Sequence, residues 1–392
     1  MRSRLVVLIS HPIQYYAPLY RELSRRAGVD IHVVFLSDAG ASAYHDAGFN
    51  RMVSWDIPLL DGYGYTVLRP GLSLDGLGFV SLTSPALTRT LASLRPDAIL
   101  LYGYASRMNW QAAHWARRHA CRVLYTSDSN ANTPKRPWKA WLKQVVVRRF
   151  FRQVDAFLCT SEANGDYVAR FGAPADRVWR MPFAIDVARY STAAPPPGVE
   201  RPFHFAWAGK LVPNKRPDDF IRAVRLVAEA SGKEVRAILV GDGPMRDEVA
   251  AMVKELPGRC KVELKGFVNQ AAMPATLQEA EVFVFTSMVE PYGLAATEAA
   301  AAGLALIVAE GIGCVGDSVL AQPGVNSIIY PPGDVPALAR AMLELRNDDA
   351  RRLNMQQASR EIARGHDFPA AATIIENAVR HVCGNAAPEA ER

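Results

Sequence analysis

The sequence predicts an α/β protein of two doubly wound domains, each built on a parallel sheet. Short aliphatic or β-branched runs alternate with helical stretches through both halves. The runs are almost continuously apolar, as strands covered on both faces must be. At 392 residues the chain exceeds one ordinary core. It is interrupted at "TAAPPPGVERP" (Thr192 to Pro202), which cannot continue a helix or a central strand and reads as a linker. The expected domains are residues 1–192 and 203–366.

In the first half the expected strands are Leu5–Ile9, Ile31–Leu36, Ala98–Tyr102, Arg122–Tyr125 and Ala156–Cys159. Helices fit between most of them, for example Pro18–Arg26, Pro85–Leu94 and Asn109–His119. The Gly- and Tyr-rich stretch Leu59 to Phe79 has weak periodicity and reads as a long loop. In the second half "FHFAWAG", "VRAILVG", "VELKGF", "VFVFTS" and "LALIVA" are strands, each followed by a helical stretch. Doubly wound sheets bind ligands beyond the C-terminal ends of their strands, so the loops there are the places to look for chemistry.

Composition narrows the function classes. Apolar residues make up 49% and charged residues 21%, as in a globular protein. The five cysteines are dispersed and form no C-x-x-C pair, which favours free thiols in a reducing compartment over disulfides or zinc. No apolar run reaches the roughly 18 residues of a spanning helix. "MRSRLVVLISHP" resembles a signal peptide only superficially: its apolar stretch is short, and Pro12 follows without a cleavage site. It reads as a first strand, and the protein as cytoplasmic. Residues 1–200 carry 24 Lys+Arg against 15 Asp+Glu, and the remainder 21 against 24. The basic half should face something anionic. No nucleic-acid motif is present, so a phosphorylated substrate or a membrane surface is expected instead.

Three loops carry candidate chemistry. In "VEPYGLAATEAAAAGLALI" Pro291 fixes the chain after Glu290, Gly293 permits close backbone approach, and an alanine-rich helix begins. The unpaired amides and dipole of its first turn suit an anion such as phosphate. Glu290 in the loop and Glu298 about one turn into the helix would flank that anion. Carboxylates beside a phosphate make sense as acceptors from hydroxyls on either side, and a nucleotide-sugar has that pattern: sugar diol, diphosphate, ribose diol. "AGKLVPNKRP" offers Gly209, Lys210, Lys215 and Arg216 after one strand, and "VGDGPM" turns into a helix on Gly241 and Gly243 after the next. Each loop alone is weak, since spaced lysines are commonly solvated and G-x-G at such turns is common packing punctuation. Their order before the spaced glutamates gives them weight.

These motifs resemble those of the retaining nucleotide-sugar glycosyltransferases of family 4, which have the GT-B fold of two facing Rossmann-like domains. The resemblance rests on "GKLVPNK", "VGDGP", "KGFV" and "EPYGLAATEAAAAG", and runs over most of residues 203–345, including "PGVNSIIYPPGDVPALARAM". It continues more loosely through "VDAFLCTSEANGDYVARFG" and "VWRMPFAID". It implies that a last helix, roughly Pro369 to Val382 within 367–392, crosses back to the N-terminal domain. It further implies that Lys210 and Lys215 hold the donor diphosphate, and that Glu290 and Glu298 accept donor-sugar and ribose hydroxyls. Backbone amides from Tyr292 through Gly293 to Leu294 would meet the sugar and diphosphate, and Phe267 and Val268 would flank the nucleobase. Departure of a diphosphate builds negative charge, which fixed cations and helix amides stabilise. No D-x-D-type metal motif occurs; "NDD" at Asn347–Asp349 falls in a polar helix. No metal cofactor is expected, the lysines supplying the charge. For retention, the resemblance implies that the leaving phosphate acts as base.

Where many family members have a Gly-rich first loop, this chain has "SHPIQYYAPLY" (Ser10 to Tyr20). Either His11 and Gln14 touch donor or acceptor, or His11 and Pro12 shape the turn while Tyr15 and Tyr16 pack the helix. "YTSDSNANT" has Thr126 where the family often has His; Asp128 either meets the acceptor or caps the next helix. The candidate catalytic residues are thus Lys210, Lys215 and Glu290, with His11 and Asp128 on the N-terminal side. "PKRPWKAWLKQVVVRRFFRQ" (Pro134 to Gln153) carries seven Lys/Arg, and no acid lies between Ser129 and Val154. It is either a core helix with a basic outer side or, through Trp138 and Trp141, a peripheral attachment to an anionic membrane. The expected function is transfer of a sugar from a nucleoside-diphosphate sugar to a glycan or lipid-linked acceptor. A nucleotide-sugar epimerase or phosphorylase on the same fold, and a binding protein without catalysis, are the alternatives.

Overall fold

The computed structural model describes residues 2–46, 48–74, 76–129, 137–192 and 201–384, without the side chains of 137–140 and 142. Most of the expected linker, and "NANTPKR" (residues 130–136), which includes the first three residues of the basic stretch, lie outside the described residues. Strands β1 (Ser3–Ile9), β2 (Val29–Phe35), β3 (Tyr44–Asp46), β4 (Arg51–Val53), β5 (Gly64–Val67), β6 (Ala98–Tyr102), β7 (Arg122–Ser127), β8 (Ala156–Cys159) and β9 (Val178–Arg180) occupy the first half. Strands β10 (Phe203–Ala208), β11 (Val235–Val240), β12 (Cys260–Gly266), β13 (Ala280–Phe285), β14 (Ala305–Ala309) and β15 (Ser327–Tyr330) occupy the second.

The chain divides into two compact units. One comprises Met1–Ala43, Ile57–Ala184 and Phe368–Arg392, and the other Tyr44–Asp56 and Ile185–Asp367. The first unit holds a parallel sheet of order β5-β2-β1-β6-β7-β8-β9. β1 is buried throughout its aliphatic run, with Leu5, Val6, Val7 and Leu8 at 0% exposure. Covering helices supply a second layer of apolar contacts, with Met108, Ala112 and Ala116 on one side of the core and Val147, Phe150 and Tyr167 in the same cluster. Two strands depart from expectation. β5 lies inside the stretch expected as a loop, and β9 sits at the opposite edge. Both are short edge strands with exposed or half-buried residues, so neither shows an apolar run. The helix Phe368–Val382 packs in this unit, where Arg26 donates to the Pro369 carbonyl (3.0 Å) and the Thr373 hydroxyl (3.3 Å).

The second unit holds a parallel sheet of order β12-β11-β10-β13-β14-β15. The chain order reverses at β10, whose neighbours are β11 and β13, so a crevice is expected where the loops after these strands diverge. Trp207, Phe205, Phe220 and Phe283 fill the interior. The unit also includes an antiparallel β3–β4 hairpin from far upstream, which pairs Tyr44 with Val53 and Asp46 with Arg51. In the local sequence that hairpin shows only as a turn signal.

Candidate functional site

The strand order of the second unit sets the candidate donor-site residues side by side. Gly209 and Lys210 follow β10, Gly241 follows β11, Phe267 and Val268 follow β12, and Glu290 lies in the loop after β13. The loops are laced together by backbone hydrogen bonds. Gly209 N–H donates to Val240 (3.0 Å), Gly241 N–H to Gly266 (2.8 Å) and Leu211 N–H to Asp242 (2.9 Å). This lacing explains the glycines. A Cβ on Gly241 would stand 1.9 Å from the Gly209 carbonyl oxygen, at a φ of +146°. The G-x-G turn therefore lets two strand ends pack at backbone contact.

Lys215 stands in a short turn ahead of the helix Pro217–Ser231. Thr286, fully buried at the end of β13, donates its hydroxyl to the Lys215 and Arg216 carbonyls (2.7 and 2.9 Å) and accepts from Trp207 Nε1 (2.8 Å). Asn214 donates to the Val289 carbonyl and accepts, through its own, from Met288 N–H. The turn is thus pinned to the loop that carries Glu290, and the Lys215 ammonium forms an ion pair with the Glu290 carboxylate. Arg216 adopts a left-handed φ of +51° and forks onto the Asp219 carboxylate, which holds a non-glycine residue in that conformation.

The loop of Glu290 leads into the helix Leu294–Ala301. Gly293 caps it at φ +107°, where a Cβ would stand 2.7 Å from the Phe285 ring. The loop is clamped from behind: Gly313 N–H donates to Glu290 O and Cys314 N–H to Tyr292 O (2.9 Å). The Tyr292 side chain is buried, which drives its hydroxyl pKa up, so its backbone is the part the loop can present. Glu298 sits one turn into the helix and is 4% exposed. Lys210, Lys215, Glu290 and the start of this helix therefore converge on the strand ends on either side of the order reversal.

Sequence reasoning missed one part of this region. The β3–β4 hairpin lies against the same loops. Lys210 Nζ donates to both Asp46 carboxylate oxygens, at 2.9 and 3.0 Å. Arg51 reaches Asp242 (3.5 Å) and lies over the Phe267 ring (4.8 Å to its centroid), while Phe49 meets that ring edge-on at 5.0 Å. Asn269 donates to the Ser54 carbonyl (2.7 Å), and Ala271 N–H to the Asp56 carboxylate (3.1 Å). The available signal was "HDAGF", whose Asp-x-Gly spacing favours a turn closed by the Asp side chain.

In the first unit, His11 follows β1, and its Nδ1 is 2.8 Å from the Ser10 hydroxyl. Burial lowers the pKa of its ring. Tyr16 stacks on Phe183 (5.7 Å, 5° between planes) and leans on Tyr102 (4.7 Å), a packing role. Gln14 is half-buried in the same turn, and Asp128 is exposed just past β7, well ahead of the helix Pro137–Phe151. On that helix Val147, Phe150 and Phe151 are buried, while Trp141, Val145 and Val146 are 67, 47 and 38% exposed. The Trp138 side chain lies outside the described residues. Asp348 of "NDD" caps the helix Asp349–Ala363, accepting from Arg351 N–H at 2.9 Å. Among the described residues no three His, Cys, Asp or Glu side chains converge as metal ligands, and no helix is long and apolar enough to cross a membrane.

Comparison with known proteins agrees with this architecture of two parallel sheets. The glycogen synthase of Mycobacterium tuberculosis is 27% identical over 335 residues, spanning 82% of this chain and 74% of the relative. Anabaena HepE, solved in complex with UDP, superposes with a TM-score of 0.70 at 17% identity, over 97% of this chain and 100% of that one. The sucrose-phosphate synthase of Thermosynechococcus elongatus superposes with a TM-score of 0.68 at 18% identity, over 98% and 100%. These likenesses identify the fold as GT-B. The glycosyl transferase 4-like domain model matches residues 12–184, and the glycosyl transferases group 1 model matches residues 195–362. With the two matches covering most of both halves, the chain belongs to the group 1 glycosyltransferases.

Proposed function

We propose that this glycosyltransferase moves a sugar from a nucleoside-diphosphate sugar to an acceptor hydroxyl with retention of configuration, as in family 4, using lysines in place of a metal. The observation that carries this reading is the pair of lysines, Lys210 and Lys215, after β10 at the reversal of strand order, with Glu290 on Lys215 and a helix start beside them. Lys210, Lys215 and the first amides of the helix Leu294–Ala301 would receive the diphosphate. Glu290 would turn to the donor-sugar hydroxyls and Glu298 to the ribose. The backbone at Phe267 and Val268 would border the base.

In the reaction the bond between the sugar's anomeric carbon and the phosphate oxygen breaks, and the acceptor oxygen bonds to that carbon on the same face. The acceptor proton passes to the departing phosphate oxygen. Charge grows on that oxygen as the bond breaks, so preorganised cations act most strongly in the transition state. His11, Gln14 and Asp128 are the residues proposed to meet the acceptor. UDP, the nucleotide bound by Anabaena HepE, is the first to try.

We further propose a glycan or lipid-linked acceptor, with peripheral attachment to an anionic membrane through the helix Pro137–Phe151. Exposed Trp141, Val145 and Val146 in a segment without acids support this reading.

The test is a thermal-shift panel of UDP, GDP, ADP, CMP and dTDP, each with EDTA and with magnesium, followed by transfer assays with the matching sugar donors. A ligand at about 100 times its Kd adds about 2.7 kcal/mol. A shift with one nucleoside diphosphate, indifferent to EDTA, supports the proposal. No shift with any of them refutes it.

A further inference from the structure

The β3–β4 hairpin sets a carboxylate on one of the two lysines assigned above to the donor diphosphate. The Asp46 Oδ atoms lie 2.9 and 3.0 Å from Lys210 Nζ. The contact is well defined. Asp46 Oδ1 also accepts from the Gly48 and Phe49 amides (2.8 and 3.0 Å), an Asp-closed turn that fixes the carboxylate beside Lys210. Gly48 backs the lysine so closely that a Cβ there would stand 2.6 Å from Lys210 Cδ. The Asp46 side chain is 14% exposed and that of Lys210 38%, so the pair is partly shielded from water. Burial opposes the Asp46 charge, yet the Lys210 hydrogen bond and the two amides together hold its carboxyl below the ordinary carboxylate range.

The rest of the hairpin is held to loops of the same unit by Arg51–Asp242, Phe49–Phe267 and Asn269–Ser54. Its position beside Lys210 is therefore fixed at several points, and Asp46 is the carboxylate it directs at that lysine.

Resting on the donor-site reading, we propose that Asp46 is a specificity-determining residue: an internal anion that an incoming ligand must displace from Lys210, and that favours diphosphates over singly phosphorylated ligands. A diphosphate spans both lysines and the first amides of the helix Leu294–Ala301, so its gains are spread over more groups than the two carboxylates, Asp46 and Glu290, that it displaces. A monophosphate or orthophosphate reaching Lys210 alone exchanges one ion pair for another and gains little. Neutralising Asp46 removes this handicap and helps the weaker anions most.

The test compares wild type with Asp46→Asn in the full chain, by calorimetric titration of UDP, UMP and orthophosphate at fixed ionic strength. Asparagine keeps an Oδ1 acceptor for the Gly48 and Phe49 amides, so the turn is retained. If another base wins the thermal-shift panel, its di- and monophosphates replace UDP and UMP. The expected result is that the monophosphate binds Asp46→Asn about fivefold tighter, with a smaller gain for the diphosphate, so that discrimination narrows. Lys210→Ala should weaken the diphosphate and, when combined with Asp46→Asn, erase the effect of the aspartate substitution. Equal or weaker monophosphate binding by Asp46→Asn, with the diphosphate still bound by wild type, overturns the role of Asp46 alone. Absence of nucleoside diphosphate binding in both proteins overturns the donor-site reading and this inference with it.

Discussion

Replacing Lys215 by alanine separates catalysis from folding. The side chain is 20% exposed and is paired with Glu290, itself 21% exposed. Truncation removes that pair but leaves the turn's anchors, because Thr286 bonds to the Lys215 and Arg216 carbonyls and Asn214 bonds to Val289. The stability cost is one partly shielded ion pair, about 1 kcal/mol, or a few degrees in Tm for a chain of this size. In the proposed role the catalytic cost is larger, because an ammonium beside a departing diphosphate acts where charge develops. Loss of one such group lowers kcat about 10²–10³-fold, or about 3–4 kcal/mol. The assay is release of nucleoside diphosphate from the donor identified by thermal shift, with Tm measured on the same samples. Turnover within about threefold of wild type would refute the assignment. A Tm loss above about 10 °C would show instead that Lys215 is a structural residue.

Chelation should leave turnover unchanged if, as proposed, lysines meet the diphosphate's charge; activity abolished by EDTA and restored by magnesium would contradict this. Gly241→Ala should cost about 3 kcal/mol, because its Cβ would stand 1.9 Å from the Gly209 carbonyl oxygen at φ +146°; a calorimetric Tm within about 2 °C of wild type would contradict the packing. His204 has its pKa lowered to about 4 by burial and by the charges of Arg346, Arg236 and Arg352. A depressed histidine means the unfolded chain binds the extra proton first, so stability is complete above about pH 6.5 and falls as the pH drops toward 4. The loss is about 2 kcal/mol once the group's partial exposure to solvent is allowed for. His204→Asn, which keeps an acceptor for Arg236 N–H, should flatten that slope in denaturant titrations. Trp141→Ala should reduce flotation with anionic liposomes and leave binding to neutral ones unchanged; equal flotation of both proteins would remove the membrane proposal.

What could be read from the sequence follows from what each residue must satisfy locally. Central strands such as β1, β10 and β13 are covered on both faces, so burial forces an uninterrupted apolar run that is visible without coordinates. Lys210 and Glu290 stand out because each lies in the loop after such a strand, whereas Phe267 follows the edge strand β12 and is named through the family resemblance. Edge strands carry no such demand. β5 is "GYTV" with two exposed and two half-buried residues, and it vanishes into the Gly- and Tyr-rich stretch that reads as a loop. In the first loop, Tyr16 stacks on Phe183, which is the packing alternative for its tyrosines. For His11 and Asp128 the structure supplies positions but no partner chemistry that chooses between their alternatives.

Asp46 shows why one part of the site stayed hidden. It lies 164 residues before Lys210, in a segment with neither an apolar run nor a dense motif. Its local signal specifies only a turn; what brings that turn to Lys210 is distributed over Arg51, Phe49 and Ser54 and their partners in other loops. No single one of those contacts is strong, and no spacing rule links them. Yet the outcome is electrostatically parallel to the motif that was legible. Each lysine of the proposed donor site meets a carboxylate, Lys215 from the downstream loop and Lys210 from the upstream hairpin. Each pair orders a long, flexible side chain, so part of the ordering cost of binding a diphosphate is already met. The two carboxylates then differ in what they do next. Glu290 has sugar hydroxyls to accept once displaced, whereas Asp46 has no assigned donor group to meet, so displacing it remains a net cost that the incoming anion must overcome.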